Sequence, residues 1–185
     1  INAVASKTIS IIPRPVVTSP ATRTICQGQT LTLNSTDVTA SNYSALTWTS
    51  SNGLGSFAPN STAATIYTPS ASQSGNVSLR LTATALNAVC ANPSTEVVVT
   101  IVPSPIVNAG LDASICETAT HTISGASVPS GATFDWVISG PATIRSGTET
   151  TLTPVVVPNV GASGTVTLTL TVQGAAQCPT PVSDT

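Results

Sequence analysis

The residues of this chain with the clearest chemistry are its four cysteines, Cys26, Cys90, Cys116 and Cys178. Cys26 and Cys116 lie 90 positions apart, and Cys90 and Cys178 lie 88 positions apart, so one pair of cysteines recurs in each half of the sequence. Two cysteines at matched positions of small domains indicate structural disulfides formed in an oxidising compartment. The chemistry that these residues predict is covalent cross-linking.

The remaining reactive side chains do not form the pattern of a catalytic or metal site. The one histidine, His121, has no second histidine or acidic cluster beside it in the sequence. Asp112, Glu117 and Asp135 do not reach the density of acidic oxygens that a calcium loop needs. No Gly-x-Ser-x-Gly elbow occurs, so a serine triad would have to recruit His121. We predict no enzyme activity, no cofactor and no metal site, with calcium at a domain junction near Asp112 left as an open alternative.

The composition excludes partners that are bound through charge or by membrane insertion. Charged residues make up 6% of the chain and the net charge is −2, whereas an average domain is about 25% charged. Such a chain has no electrostatic field able to attract nucleic acid. It also lacks the run of about 18 apolar residues that spans a bilayer. Low charge with abundant threonine, serine and valine is typical of extracellular β-sandwiches with hydroxyl-rich faces.

An internal repeat organises the chain. Residues 98–107, VVTIVPSPIV, have a copy at residues 8–17, TISIIPRPVV, and Trp48 matches Trp136 at an offset of 88. A fixed period of this length predicts a tandem array of small domains. The predicted parts are the closing strand of a preceding repeat at residues 1–12, one full repeat at 13–102, and a repeat lacking its last strand at 103–185.

The periodicity of the apolar residues predicts strands in both repeats. Residues 75–83 and 165–172 alternate between apolar and polar side chains, as a half-buried strand does. We predict an all-β fold of two tandem, seven-stranded, immunoglobulin-like (PKD-like) antiparallel β-sandwiches with almost no helix. Trp48 and Trp136 fall on the third strand of each repeat, where an inward tryptophan forms part of the core.

Prolines mark the start of each repeat. Pro13 and Pro15 precede the first full repeat, and Pro103 and Pro105 precede the second. A short proline-rich linker is semi-rigid, so we expect neighbouring domains to keep a restricted angle.

The strand order leaves two pairings open for the cysteines. Cys26 precedes the second strand and Cys90 follows the sixth, so the two lie at opposite ends of an immunoglobulin-type sandwich. A strand of about six residues spans roughly 20 Å, whereas a disulfide needs a Cα separation of about 4.4–6.8 Å. One prediction is therefore that Cys26 pairs with Cys178 across the junction, leaving Cys90 and Cys116 for domains beyond. The alternative pairs Cys26 with Cys90 and Cys116 with Cys178, which requires an irregular first strand or a folded-over loop.

Several motifs resemble the tandem immunoglobulin-like or PKD-like repeats of large Bacteroidota cell-surface adhesins, including gliding-motility adhesins. They are Val107 to Asp112 followed by Ile115-Cys116, then Phe134-Asp135-Trp136, then Gly164 to Val172, and Cys178 before Ser183-Asp184-Thr185. The resemblance implies export by the type 9 secretion system and display at the outer membrane, on the cell surface.

These observations predict a non-catalytic structural repeat in the stalk of a long cell-surface adhesin that serves gliding motility or surface attachment. Its expected partners are neighbouring repeats of the same chain or filament. One alternative is a donor-strand filament subunit, in which residues 1–12 complete the strand-deficient repeat of the next subunit. Another is an accessory module that binds extracellular polysaccharide, which would need exposed aromatic residues. Aromatic residues make up only 3% of the chain.

Overall fold

Alternation of apolar residues with threonine and serine produces the longest strands of the structure. In the strand Gly75–Ala85, Val77, Leu79 and Leu81 are buried and the residues between them are more exposed. The computed structural model describes residues 4–174 and 178–185, and within those ranges it contains strands and loops but no helix. The described residues therefore hold no helix that could cross a membrane. The all-β prediction is confirmed.

The chain divides into two units, the first ending at Pro103 and the second beginning at Ser104. The strands of the first unit are β1 (Val16–Thr18), β2 (Thr22–Cys26), β3 (Leu31–Leu33), β4 (Thr39–Ser41), β5 (Tyr43–Ser50), β6 (Ser56–Ala58), β7 (Thr65–Thr68), β8 (Gly75–Ala85) and β9 (Ser94–Val102). Residues 4–15 form no strand. A closing strand needs the other strands of its own sandwich, so the assignment of residues 1–12 to a preceding repeat stays a prediction.

Two sheets enclose one core in the first unit. Their strand orders are β2-β9-β8-β5 and β3-β7-β6, and β1 pairs separately with β4. Trp48, Leu81 and Val99 of the four-stranded sheet share a buried cluster with Leu33 and Tyr67 of the three-stranded sheet. Apolar faces of two sheets that meet in this way define a β-sandwich.

One pair of strands departs from the predicted antiparallel arrangement. Strand β2 runs parallel to β9, with Thr22 opposite Val98 and Cys26 opposite Val102. The cause lies at Ser19-Pro20, which separates β1 from β2, because a proline cannot donate to a ladder. Before this break the chain pairs with β4, as strand β1. After the break it joins the four-stranded sheet beside β9, as strand β2. Among its described residues the first unit thus has nine strands in place of the expected seven.

The second unit repeats the sandwich, and its described residues form six strands. They are β10 (His121–Thr122), β11 (Phe134–Ser139), β12 (Ala142–Ile144), β13 (Val155–Pro158), β14 (Thr167–Val172) and β15 (Val182–Asp184). Among the described residues they form the sheets β10-β13-β12 and β11-β14-β15. Trp136 and Leu170 of one sheet share a buried cluster with Val156 and Ala142 of the other.

The second unit contains the beginning of the closing strand that the sequence analysis expected to be missing. Leu170 pairs with Asp184 in β15, as Leu81 pairs with Thr95 in β9. Asp184 also accepts a hydrogen bond from the backbone N–H of Ala109, at 2.8 Å. By contrast, residues 112–116, which match β2 at an offset of 90, form no strand.

A pair of glycines in one turn tests the packing of the first unit. Gly53 and Gly55 both have positive φ, +69° and +80°, but a Cβ on Gly53 would meet nothing within 4 Å. A Cβ on Gly55 would lie 2.6 Å from Cε2 of Tyr67, which is fully buried. Gly53→Ala should cost about 1–2 kcal/mol for the left-handed backbone alone. Gly55→Ala should lower the free energy of unfolding in urea by clearly more than Gly53→Ala does, because the Tyr67 side chain must move. Equal losses of free energy for the two variants would contradict this packing.

Candidate functional site

Trp48 lies at the centre of the first core. Only 2% of it is exposed. Its indole N–H donates to the backbone oxygen of Thr62 at 2.9 Å, and its backbone N–H donates to the side-chain oxygen of Asn60 at 2.9 Å. Its ring stacks on Phe57, with centroids 5.8 Å apart. With its polar atom paired and its faces covered, this ring serves packing and offers no platform for a sugar.

Trp136 has the same role in the second unit. It is 9% exposed, and its indole N–H donates to the backbone oxygen of Thr151 at 3.0 Å. In both units the acceptor is a backbone carbonyl in the loop between the next two strands, which are β6 and β7 in the first unit and β12 and β13 in the second. The repeat in sequence therefore extends to a repeated side-chain hydrogen bond.

A buried polar pair beside the first core was not found from the sequence. The Tyr67 hydroxyl donates to Oε1 of Gln73 at 3.1 Å, and the same oxygen accepts the backbone N–H of Ser70 at 3.1 Å. Burial raises the pKa of the Tyr67 phenol. Gln73 is 7% exposed, and its Nε2 has no hydrogen-bond partner. The loop between β7 and β8 is thereby tied to the core, a contact between residues six positions apart that no periodicity reveals.

The cysteines fall into two chemical states. Cys26, at the end of β2, and Cys178, which is buried, are disulfide-bonded. Cys90, half-buried in the loop after β8, and Cys116, which is exposed, are free thiols. The within-repeat bridges Cys26–Cys90 and Cys116–Cys178 are therefore absent from the structure. Bridges from Cys90 and Cys116 to further domains stay a prediction.

The prolines of the predicted linkers differ in their surroundings. Pro13 and Pro103 are exposed, Pro105 is half-buried and Pro15 is buried. Between Pro13 and Pro15, the backbone oxygen of Arg14 accepts a hydrogen bond from Nδ2 of Asn42 at 3.3 Å. Pro15 and this bond hold the segment against the first unit immediately before β1.

An ion pair fastens β2 to the turn before β4. Nη2 of Arg23 donates to Oδ1 of Asp37 at 2.5 Å, and the other carboxylate oxygen accepts the backbone N–H of Asn34 at 3.1 Å. The pKa of Asp37 lies below its ordinary value, first because of the hydrogen bond from the Asn34 backbone and then because of Arg23. The carboxylate thus serves the fold, as a charged acceptor in a tight turn.

The remaining ionisable groups of interest line one groove in the second unit. Asp112, Glu117 and His121 all border it. Glu117 accepts a hydrogen bond from the backbone N–H of Gly161, while Asp135 lies outside the groove and accepts one from Nε2 of Gln173 at 3.2 Å. In the described part of the chain, no three metal-ligating side chains come together. The groups in the groove show neither a nucleophile with a base nor a ligand set for a metal ion.

No protein-family model and no curated protein matches this sequence. Among solved structures the chain is similar to "Protocadherin Gamma B2 extracellular cadherin domains 3-6", at 12% identity and a TM-score of 0.43. It is also similar to "Protocadherin gammaB7 EC3-6 cis-dimer structure", at 15% identity and 0.41, and to human CDH23 EC21-23, at 13% and 0.36. These matches cover 92–93% of this chain. This chain in turn spans only 45%, 46% and 62% of the lengths of the three matched chains, in the order given. Likenesses of this strength assign no function to the chain.

The turn at Asp37 predicts a stability that falls in acid. A lowered pKa means that the ionised carboxylate stabilises the fold above the unfolded pKa of about 3.9, and that this stability is lost as the pH drops through the folded pKa. Asp37→Asn should therefore lower the melting temperature of the first unit at pH 7 and flatten its decline in acid. Asp112→Asn, an exposed carboxylate in the other unit, is the control; thermal scans from neutral to acidic pH that give the same curve for both variants would refute the role of Asp37.

Proposed function

We propose that this chain is a non-catalytic structural repeat of an extracellular array and forms part of the stalk of a large cell-surface adhesin. The proposal is carried by the parallel pairing of β2 with β9 in the first unit. Those two strands lie near the start and the end of that unit, so a pull on its two ends draws them in opposite directions along their length. All bonds of the ladder are then loaded together, which is the arrangement that resists force.

The ladder is complete at both of its ends. The backbone N–H of Val98 donates to the oxygen of Ala21 at 2.9 Å, and that of Gln27 donates to the oxygen of Val102 at 2.8 Å. Between these two bonds five residues of each strand are in register. The apolar residues Ile25, Val99 and Ile101 of the two strands are buried beneath it, so water reaches the ladder from one side only.

The surface of the chain suits a stalk better than a binding head. Both tryptophans are buried, so the described residues present no tryptophan to a polysaccharide, and that alternative is not favoured. Of the eleven exposed residues in β5, β8 and β9, five are threonine or serine, whose hydroxyl groups hydrogen-bond water, and only Arg80 and Glu96 are charged. The resemblance to Bacteroidota gliding-motility adhesins supports the finer proposal of a type 9 export route and attachment at the outer membrane.

We further propose that Cys26 and Cys178 bond to each other and staple consecutive repeats. The support is that these two residues are in the bonded state while Cys90 and Cys116 are free. A bridge that closes a long segment of chain limits the extension of the array even after a unit opens, and it stabilises the fold by restricting the unfolded chain, by about 4–5 kcal/mol for a loop of about 100 residues.

Pulling the full chain from its two ends, under reducing conditions, tests the stalk. We expect two unfolding events in a single-molecule force trace, with the first unit breaking at the higher force. The second unit is the internal control, because residues 112–116 form no strand and it therefore has no parallel ladder among the described residues. Equal forces, or a weaker first unit, would remove the observation on which the proposal rests.

A tryptic map of the unreduced, alkylated chain tests the staple. Cleavage after Arg23, Arg80 and Arg145 places Cys26 in the peptide 24–80, Cys90 and Cys116 in 81–145, and Cys178 in 146–185. The staple predicts a cross-linked pair of 24–80 with 146–185, together with a doubly alkylated 81–145. Within-repeat bridges would instead join all three peptides into one species, and that result would exclude the staple.

A further inference from the structure

The turn that joins β5 to β6 contains the one Asn-Gly pair of the sequence, Asn52-Gly53. Every other asparagine is followed by a residue that carries a Cβ, which obstructs the approach of that residue's backbone nitrogen to the asparagine side chain. Glycine removes this obstruction. Residues 51–55 are all exposed, and a Cβ on Gly53 would meet nothing within 4 Å. The pair therefore lies in water, with no packed neighbour that must move when its backbone changes conformation.

Two hydrogen bonds hold the groups of this pair that could react with each other. The backbone N–H of Leu54 donates to Oδ1 of Asn52 at 3.0 Å, and the backbone N–H of Gly53 donates to the backbone oxygen of Ser50 at 3.1 Å. The first bond withdraws electron density from the side-chain carbonyl of Asn52. It also places a donor beside the oxygen on which negative charge develops when a nucleophile attacks Cγ. The second bond breaks when the turn opens locally, which costs little free energy for an exposed turn.

Asn108 in the second unit has a similar side-chain bond but a different following residue. Its Oδ1 accepts the backbone N–H of Gly110 at 2.7 Å. The intervening residue, Ala109, is buried, and its N–H donates to Oδ2 of Asp184 at 2.8 Å. The backbone N–H and oxygen of Asn108 also pair with Ser127. Here the nitrogen that would have to attack is held by a carboxylate inside a fixed bridge, so Asn108 is an internal control.

We propose that Asn52 is a site of spontaneous deamidation, at which the ageing chain acquires an isoaspartate. The backbone nitrogen of Gly53 loses its proton to hydroxide and bonds to Cγ of Asn52. The bond between Cγ and Nδ2 then breaks, and Nδ2 leaves as ammonia after taking a proton from water. The product is a five-membered succinimide ring. No oxidant, reductant or enzyme takes part in these steps.

Water then opens the ring at one of its two carbonyl groups. Addition at Cγ restores the normal backbone and leaves aspartate at position 52. Addition at the backbone carbonyl of residue 52 breaks its bond to the nitrogen of Gly53, so that the main chain runs through Cβ and Cγ as isoaspartate. Both products carry a new negative charge, whereas only isoaspartate lengthens the backbone. This inference goes beyond the stalk proposal and does not depend on it.

A longer backbone at this position affects the core, because the turn joins the two sheets of the first sandwich. Before the turn, the N–H of Ser51 donates to the backbone oxygen of Ser78 in β8 at 2.9 Å. After it, the backbone oxygen of Leu54 accepts the hydroxyl of Tyr67 in β7 at 3.3 Å, and Gly55 packs against the buried Tyr67 ring. Isoaspartate inserts a carbon atom between these two anchors. We therefore expect the modified first unit to be less stable than the parent.

Ageing the full, unreduced chain at mildly alkaline pH tests the site. Samples are digested at intervals, and the conversion of each asparagine is followed by mass spectrometry with fragmentation that distinguishes isoaspartate from aspartate. We expect Asn52 to convert several times faster than any other asparagine, with isoaspartate among its products, while Asn108 stays intact. The rate should rise with pH because the attacking nitrogen must lose its proton. An Asn52 that stays unmodified, or that converts no faster than the other asparagines, overturns the proposal.

Two variants separate this reaction from general damage to the chain. Asn52→Gln keeps an amide but would need a six-membered ring, so the aged variant should retain the unfolding temperature of its first unit. Asn52→Asp, freshly prepared, carries the charge of the product on a normal backbone and should unfold close to the parent, because a carboxylate oxygen still accepts the Leu54 N–H.

The aged parent chain should show a lower unfolding temperature of the first unit and an unchanged second unit. An equal loss in the aged Asn52→Gln chain would show that the damage lies elsewhere and would refute the role of this turn. A fresh Asn52→Asp chain that unfolds as early as the aged parent would assign the loss to charge, and would overturn the part of the proposal that concerns the longer backbone.

Discussion

The structure depends on one strand that is hydrogen-bonded on both of its sides. In the first unit β9 lies between β8 and β2, and it brings Val97, Val99 and Ile101 to the centre of the core. Both antiparallel and parallel ladders therefore meet on the same strand. Its apolar side chains thus join the two sheets of the sandwich into one core. The mechanical proposal follows from this constraint.

The parts of the fold that could be predicted are those recorded in local sequence. Alternation revealed β8, β9 and β14, and the offset between Trp48 and Trp136 revealed two equivalent cores, because inward tryptophans and period-two patterns need no knowledge of the partner strand. The parallel pairing of β2 could not be predicted, since Ser19-Pro20 reveals a break but not which sheet the chain joins afterwards. Likewise the local sequence does not show where the strand Val155–Pro158 begins. The residues before it form a turn, in which the backbone N–H of Thr151 donates to the backbone oxygen of Thr148. The backbone oxygen of Thr151 accepts the hydrogen bond from the indole N–H of Trp136.

Particular polar side chains in both units make contacts that stabilise the fold. Asp37 anchors a turn with Asn34 and Arg23, Gln73 joins a loop to Tyr67, and Asp184 holds the backbone of Ala109. Each contact joins residues that sequence reasoning could not bring together, because the separation in the chain has no fixed period. The cysteines show the same limit: their matched spacing predicted disulfides, but two of the four are free thiols in this chain. Spacing identifies residue classes, whereas pairing depends on the folded topology.

The scarcity of charge has a consequence for the setting in which such a surface operates. With 6% charged residues and a single histidine, few groups change protonation between mildly acidic and mildly alkaline water. Added salt screens charges and leaves hydroxyl groups unaffected. The threonine and serine faces of these strands therefore present almost the same hydration in dilute and in concentrated salt. The interactions of an exterior of this kind depend little on charge screening when the medium around it changes from fresh to saline.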